Sequence, residues 1–209
     1  MNNPIIFDLK SLRTQQKRSL LNKNYDNFLF KEIGRRLIER LFDIKKDFNQ
    51  ALEISSKPNI LNDIMIEKNF FKNKNLRFFI RSGLGGDLEI NQELIPVVEN
   101  SMNLIFSNLS LHWANDLVGI LYQIRQILKP DGFFIASMFG ENTLIELRES
   151  FRIAETSILG EESNRISPFI DIKTAGNLLQ RSGFSLNVSD IDKLQIQFSE
   201  PIDLLNEIR

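Results

Sequence analysis

Few side chains in this chain could carry chemistry, and two of them are adjacent. His112 and Trp113 are the only histidine and the only tryptophan of the 209 residues, and they lie in Ser107-Asn-Leu-Ser-Leu-His-Trp-Ala-Asn-Asp116. Imidazole titrates near neutrality, so His112 could act as a general base, and the neighbouring indole could wall a cation or a planar group. The sequence places no Asp or Glu to orient the ring, however, and a lone His followed by Trp at the end of a strand serves more often as a loop anchor, which is the preferred reading. Gly83-Leu-Gly-Gly86 invites comparison with a phosphate loop, but it lacks the downstream Lys-Ser/Thr and opens no apolar helix, so it reads as a flexible turn. With no cysteine, the chain has no disulfide, thiolate nucleophile or Cys-ligated centre. One His without HExxH spacing argues against a protein-bound catalytic metal.

The elements that must position these residues follow from pattern. Asn103–Ser107 is a short apolar run of the kind that forms a buried strand. Leu117, Ile120, Leu121, Ile124 and Leu128 then recur at helical spacing, with Asp116 placed as N-cap. Lys129-Pro-Asp-Gly132 is a stop and turn before a second buried strand, Gly132–Met138. Strand, loop, helix, turn and strand make one βαβ unit of a parallel sheet, in which ligands bind at the carboxyl ends of strands. Ser107 and Leu109 are candidate ligand-side positions on that ground. Upstream, Phe30, Ile33, Leu37, Ile38 and Leu41 mark an amphipathic helix leading to a strand at Gln50–Ile54, and Leu76–Ile80 reads as a further strand. Downstream, a helix starting at Glu141 is expected, with Thr143 and Glu146 at capping-box spacing and a buried stripe of Leu144, Leu147, Phe151 and Ala154. A short helix over Ile172–Leu179 closes at Gly183, and Phe184–Phe198 is largely strand-like.

Length suits one α/β domain, and 42% hydrophobic residues suit a globule with a core. A net charge of −1 removes any general electrostatic case for nucleic acid. No apolar run approaches the roughly 20 residues needed to span a bilayer. The first 24 residues are polar and basic, with Lys10, Arg13, Lys17, Arg18 and Lys23. Such an arm could be a transit peptide or an anion- or substrate-contacting helix; a solvated helix is preferred.

The segments "SNLSLHWANDL", "QILKPDGFFIASMFGENTLIELRESF" and "RISPFIDIKTAGNLLQRSGF" resemble class I S-adenosylmethionine-dependent methyltransferases. Within that superfamily they are most similar to the complex I assembly factor 5 proteins and their alphaproteobacterial relatives, akin to the malonyl-carrier-protein methyltransferase of biotin synthesis. "IFDLKSLRTQQKR" and "FLFKEIGRRLIERLFDIKKDFNQALEI" extend the similarity to the start, with a weak middle from about Glu53 to Asn100. The resemblance implies an α/β fold: a Rossmann-like class I methyltransferase three-layer sandwich. Because related proteins continue past the position of Arg209, it also implies that the last antiparallel strand is lacking and a sheet edge is bare or supplied by a partner. Residues 1–27 would form a basic arm or helix and 28–209 the methyltransferase-like domain.

The resemblance also locates a cofactor site. The family ends its first strand with an acid and a glycine-rich turn whose backbone N–H groups approach the cofactor. Glu53 fits the acid, while Ser55, Lys57 and Asn59 stand at the glycine positions with Pro58 among them, so the site reads as degraded. Arg81 and Ser82 stand where a carboxylate would accept the ribose hydroxyls, and Arg cannot accept. Asn91 or Gln92 replaces the adenine-contacting acid, and Met102-Asn103 replaces Phe-Asp. Arg165-Ile-Ser-Pro168 corresponds to a segment over the active-site mouth. The implied function is a methyltransferase-like protein related to complex I assembly factors, with S-adenosylmethionine as cofactor if any and a respiratory-complex subunit as protein partner. The alternative is a non-catalytic protein-binding module or inactive remnant. The implied compartment is the bacterial cytoplasm, with the mitochondrial matrix as the alternative.

Overall fold

The apolar runs expected as strands form one parallel sheet. The structure, a computed structural model, describes residues 5–21, 27–90 and 93–208. Strands β1 (Gln50–Ser55), β2 (Phe78–Ser82), β3 (Met102–Asn108) and β4 (Leu128–Ser137) lie in the order β2-β1-β3-β4, every neighbouring pair parallel. Because strand side chains alternate between faces, Ala51, Leu104 and Phe106 enter one core while Leu52, Ile54 and Ile105 enter the other. The first core is closed by Leu37, Ile38 and Leu41 of helix α2 (Phe28–Asp43), by Leu61, Ile64 and Met65 of α3 (Pro58–Glu67) and by Phe70 of α4 (Phe70–Asn73). The second is closed by Ile120, Leu121 and Ile124 of α5 (Leu117–Ile127), with Leu178 and Leu179 of α7 (Ile172–Arg181) packed alongside. Full burial of each such aliphatic side chain contributes about 1.5–3 kcal/mol. The result is a three-layer α/β sandwich, and among the described residues no antiparallel strand joins the sheet.

Local chemistry explains the element ends. Asp116 Oδ1 accepts from Gly119 N at 2.9 Å and caps α5; Asp171 does the same for Thr174 N of α7. A Cβ at Gly34 would lie 2.8 Å from Leu61 Cδ2, so the glycine lets α2 close on α3. Asn108 at the end of β3 donates to the Phe30 carbonyl of α2 at 2.9 Å.

Several expectations need correction. β2 runs over Phe78–Ser82, two residues later than its apolar pattern, because Phe78 pairs with Gln50. The Lys129–Gly132 turn lies inside β4 as a bulge: Leu128 pairs with Met102 and Phe133 with Leu104, and Asp131 has φ 60°. Helix α6 spans Ile145–Leu159 after a left-handed Leu144 at φ 56°, with no side-chain cap, so the Thr143–Glu146 capping box does not form. Of its expected stripe, Leu147 and Phe151 are half-buried and Ala154 is exposed; the buried residue is Glu155, held by Ser163 and Arg165. Phe184–Phe198 forms no strand, because no sheet edge pairs with it. Side chains hold it instead, through Arg36–Asp192 at 2.8 Å, Arg40–Asp190 at 2.6 Å and Asn187 Nδ2 on the Gly176 carbonyl at 2.7 Å.

Candidate functional site

A cavity of about 210 Å3 opens at the carboxyl ends of β1 and β3. Its floor is Ile54, Ser55 and Ser56 at the end of β1 and Ser110 and Leu111 after β3; one wall is Gly83, Leu84, Glu89 and Ile90 after β2. Its roof is helix α1 (Leu9–Leu21), through Leu9, Lys10, Leu12, Arg13 and Gln16. Small-molecule sites commonly enclose roughly 300–1,000 Å3, so this cleft is narrow for a nucleoside-sized ligand. The turn after β2 makes it so. Gly83 has φ 130°, and a Cβ there would sit 2.1 Å from the Ser55 carbonyl oxygen. Gly83 N donates to Leu88 O and Gly86 N to Gly83 O, so the expected flexible turn is a closed one pressed against the β1 loop.

The loop after β1 satisfies itself. Ser55 Oγ accepts from Lys57 N at 3.1 Å, which engages a backbone donor that would otherwise face a ligand. Lys57 turns its ammonium away from the cavity, donating to Ser19 Oγ of α1 at 2.6 Å and lying 5.4 Å from the Phe30 ring; burial lowers its pKa. Pro58 is the first residue of α3, where a missing N–H costs the helix nothing but leaves one donor fewer for a ligand. Asn59 Oδ1 accepts from Arg81 at 2.9 Å.

At the end of β2 the guanidinium of Arg81 donates to both oxygens of Asp87, at 3.0 and 2.7 Å. This pairing brings the Asp87 carboxyl down to about 2 and uses its acceptor capacity. Ser82 is fully buried and its hydroxyl donates to the Glu53 carbonyl, so it faces no ligand. Beneath the floor lies Glu53, fully buried, with neither carboxylate oxygen partnered; burial pushes its pKa well above the carboxylate range, against the opposing pull of Arg81. Ser107, opposite Ile54, is equally buried with an unpartnered hydroxyl.

His112 is an anchor. Its ring centroid lies 4.9 Å from Trp113, 4.7 Å from Phe139 and 6.0 Å from Phe169, and neither nitrogen has a hydrogen-bond partner. Burial brings its pKa down to about 3, so it is neutral at physiological pH and has no carboxylate to orient it as a base.

Of the residues singled out in the sequence, Ser55 lines the cavity. Glu53, Ser82 and Ser107 lie together beneath it, and Leu109, buried with φ 45°, bonds through its N–H to Ser137. Lys57 leaves the cavity for α1, and Asn91 and Gln92 lie outside the described residues. The sequence suggests a solvated helix for the roof, yet Leu12 is buried and its neighbours face the cleft. The i, i+3 spacing of Leu9 and Leu12 was the available signal. Against the features that the resemblance implies, Ser55–Asn59 carries no glycine, and Asp87 after β2 is paired with Arg81.

The family described as Methyltransferase domain matches residues 66–136. The chain is 34% identical to the mitochondrial arginine-hydroxylase NDUFAF5 of Danio rerio, over 98% of this chain and 67% of the relative. It is 35% identical to RP459 of Rickettsia prowazekii, named a candidate methyltransferase, over 79% of this chain and 76% of that protein. It spans little more than half the length of the human NDUFAF5, 55%. Among solved structures, a SAM-dependent methyltransferase of Thermotoga maritima superposes with a TM-score of 0.53 at 13% identity, covering 82% of this chain and 81% of the other. That likeness is one of fold.

Proposed function

Because the chain belongs to the NDUFAF5 family, built on the fold of class I S-adenosylmethionine-dependent methyltransferases, we propose that it serves respiratory complex I assembly by holding a protein subunit of that complex. In this reading residues 28–209 form the methyltransferase-like unit and 1–27 a basic N-terminal arm or helix. S-adenosylmethionine is the cofactor that family membership assigns to the cleft, and the cleft has been remodelled so that it no longer holds it tightly. The observation that carries this reading is the Arg81–Asp87 pair, extended to Asn59, at the place where a ribose-binding carboxylate is required. A guanidinium there offers no acceptor to a hydroxyl, and its pairing engages both oxygens of the neighbouring Asp87 carboxylate. The Rickettsia relative supports a bacterial setting.

A second reading, retained methyl transfer, is favoured by the persistence of a cavity lined by Ser55 and Ser110 at the strand ends. Deletion of the gene in its own cell separates function from idleness. Native gels should show less assembled complex I, restored by the wild-type chain and equally by a Leu84→Trp variant, whose larger side chain fills the cavity. Unchanged complex I in the deletion strain would remove the assembly role. Restoration by wild type alone would favour the catalytic reading.

A further inference from the structure

The roof of the cleft is attached at three points and buried at one. Leu12 is the only buried side chain of α1 among its described residues. At the amino end, Asn115 Oδ1 accepts from both Ile6 N and Phe7 N at 2.8 Å, and its Nδ2 donates to Phe7 O at 3.1 Å. One amide side chain thus clamps two consecutive residues with three hydrogen bonds. Beside it the Phe7 ring meets Trp113 edge-on, centroids 5.3 Å apart. In the middle, Arg13 pairs with Glu89 across the cleft mouth at 2.5 Å, both about half exposed. At the carboxyl end Lys57 holds Ser19. Both outer attachments come from loops that follow sheet strands, so the helix is strapped over the strand ends and is not packed into either core.

We propose that α1 is a lid over the cleft, that Asn115 is its catch, and that Trp113 registers whether it is shut. The Arg13–Glu89 pair is exposed and screened by salt, so it aligns the closed lid without holding it. The Lys57–Ser19 bond lies at the end covalently joined towards α2, so the amino end is the end that lifts. Lifting uncovers Ser55, Ser110 and Leu111 and removes Phe7 from Trp113. Trp113 in turn lies tilted against His112, which contacts Phe139 and Phe169, so the lid edge is continuous with an aromatic cluster drawn from the loops after β3 and β4 and before α7. The inference concerns access to the cleft and holds whichever ligand or partner reads it.

The chain reports the lid directly, because α1 carries four trypsin sites, Lys10, Arg13, Lys17 and Arg18, and Trp113 is the only tryptophan. Cleavage in α1 tracks the open population when closing is fast. With three hydrogen bonds lost, Asn115→Ala should raise the cleavage rate within α1 about tenfold or more. Acrylamide quenching of Trp113 should increase in the same variant, with far-UV circular dichroism and melting of the sheet retained. Phe7→Ala, which touches neither core, should raise the quenching as well. Equal α1 cleavage in wild type and a folded Asn115→Ala overturns the catch. Wild-type α1 cut as fast as the free peptide overturns the closed lid. Unchanged quenching in Phe7→Ala overturns the sensor.

Discussion

Replacing His112 by Phe should remove most of an acid sensitivity that the fold otherwise carries. The imidazole is 7% exposed, both nitrogens lack partners, and its pKa is brought down from 6.5 to about 3 by burial. A group whose folded pKa is depressed contributes stability above its unfolded pKa that is lost as pH falls through the folded one. The window is therefore pH 6.5 down to about 3. Each pH unit inside it costs about 1.36 kcal/mol, so the step from pH 7 to pH 5 costs about 2 kcal/mol, against a total stability of roughly 5–15 kcal/mol. Phe suits the surrounding Trp113, Phe139 and Phe169, and whatever packing cost it brings is the same at both pH values. Urea unfolding followed by circular dichroism at pH 7 and pH 5 should show the wild type losing about 2 kcal/mol more than His112→Phe. Equal losses in the two proteins would mean that His112 is hydrated or partnered, and the anchor argument would fail.

Glu53 works in the opposite direction. Its folded pKa is raised, so its contribution is present below the ordinary carboxylate pKa and lost as pH rises. Glu53→Met should stabilise the fold at pH 7 by about 1–3 kcal/mol, with a smaller gain at pH 5, measured in the same unfolding series. Gly83→Ala should destabilise by about 1–3 kcal/mol or more, since φ 130° is strained for any side chain and the new Cβ meets the Ser55 carbonyl; a melting curve unshifted from wild type would show that the two loops are not pressed together. Ser82→Asp, which places a carboxylate at a fully buried site, should lower the melting temperature without creating a ribose contact, as a thermal scan with and without S-adenosylhomocysteine would register.

The sheet was legible because its strands are short apolar runs bounded by strong punctuation. Asp116 as a cap and Gly183 as a stop act through neighbouring residues alone and so can be read locally. The failures are those where a distant partner decides. Leu186 and Val188 alternate as a strand would, but Leu186 turns left-handed at φ 55°, and Asp190 and Asp192 are drawn to α2 and not to the edge of β4. The capping box at Thr143 lost to a left-handed Leu144. In the site, the absence of glycine from Ser55–Asn59 was visible in the residue types. Two features were not: Lys57 serves α1 and not the cavity, and Arg81 is satisfied by Asp87 six residues on. Both depend on where α1 and the β2 turn come to rest, which no spacing along the chain encodes. The clamp of Asn115 on Ile6 and Phe7 is of the same kind, a contact across more than a hundred residues.

The central claim is that the β1 loop and the end of β2 keep S-adenosylmethionine from binding tightly, and calorimetric titration of the cofactor into the full chain tests it most directly. Ser55, Lys57 and Asn59 changed together to Gly, with Pro58→Ala, provide the comparison. Gly costs roughly 0.5–1 kcal/mol per site, and each regained hydrogen bond to a charged group returns roughly 1.5–3 kcal/mol. The wild type should give no heat and no melting shift at millimolar S-adenosylmethionine, while the four-residue variant should gain an order of magnitude or more in affinity. Micromolar binding by the unaltered chain would contradict the account.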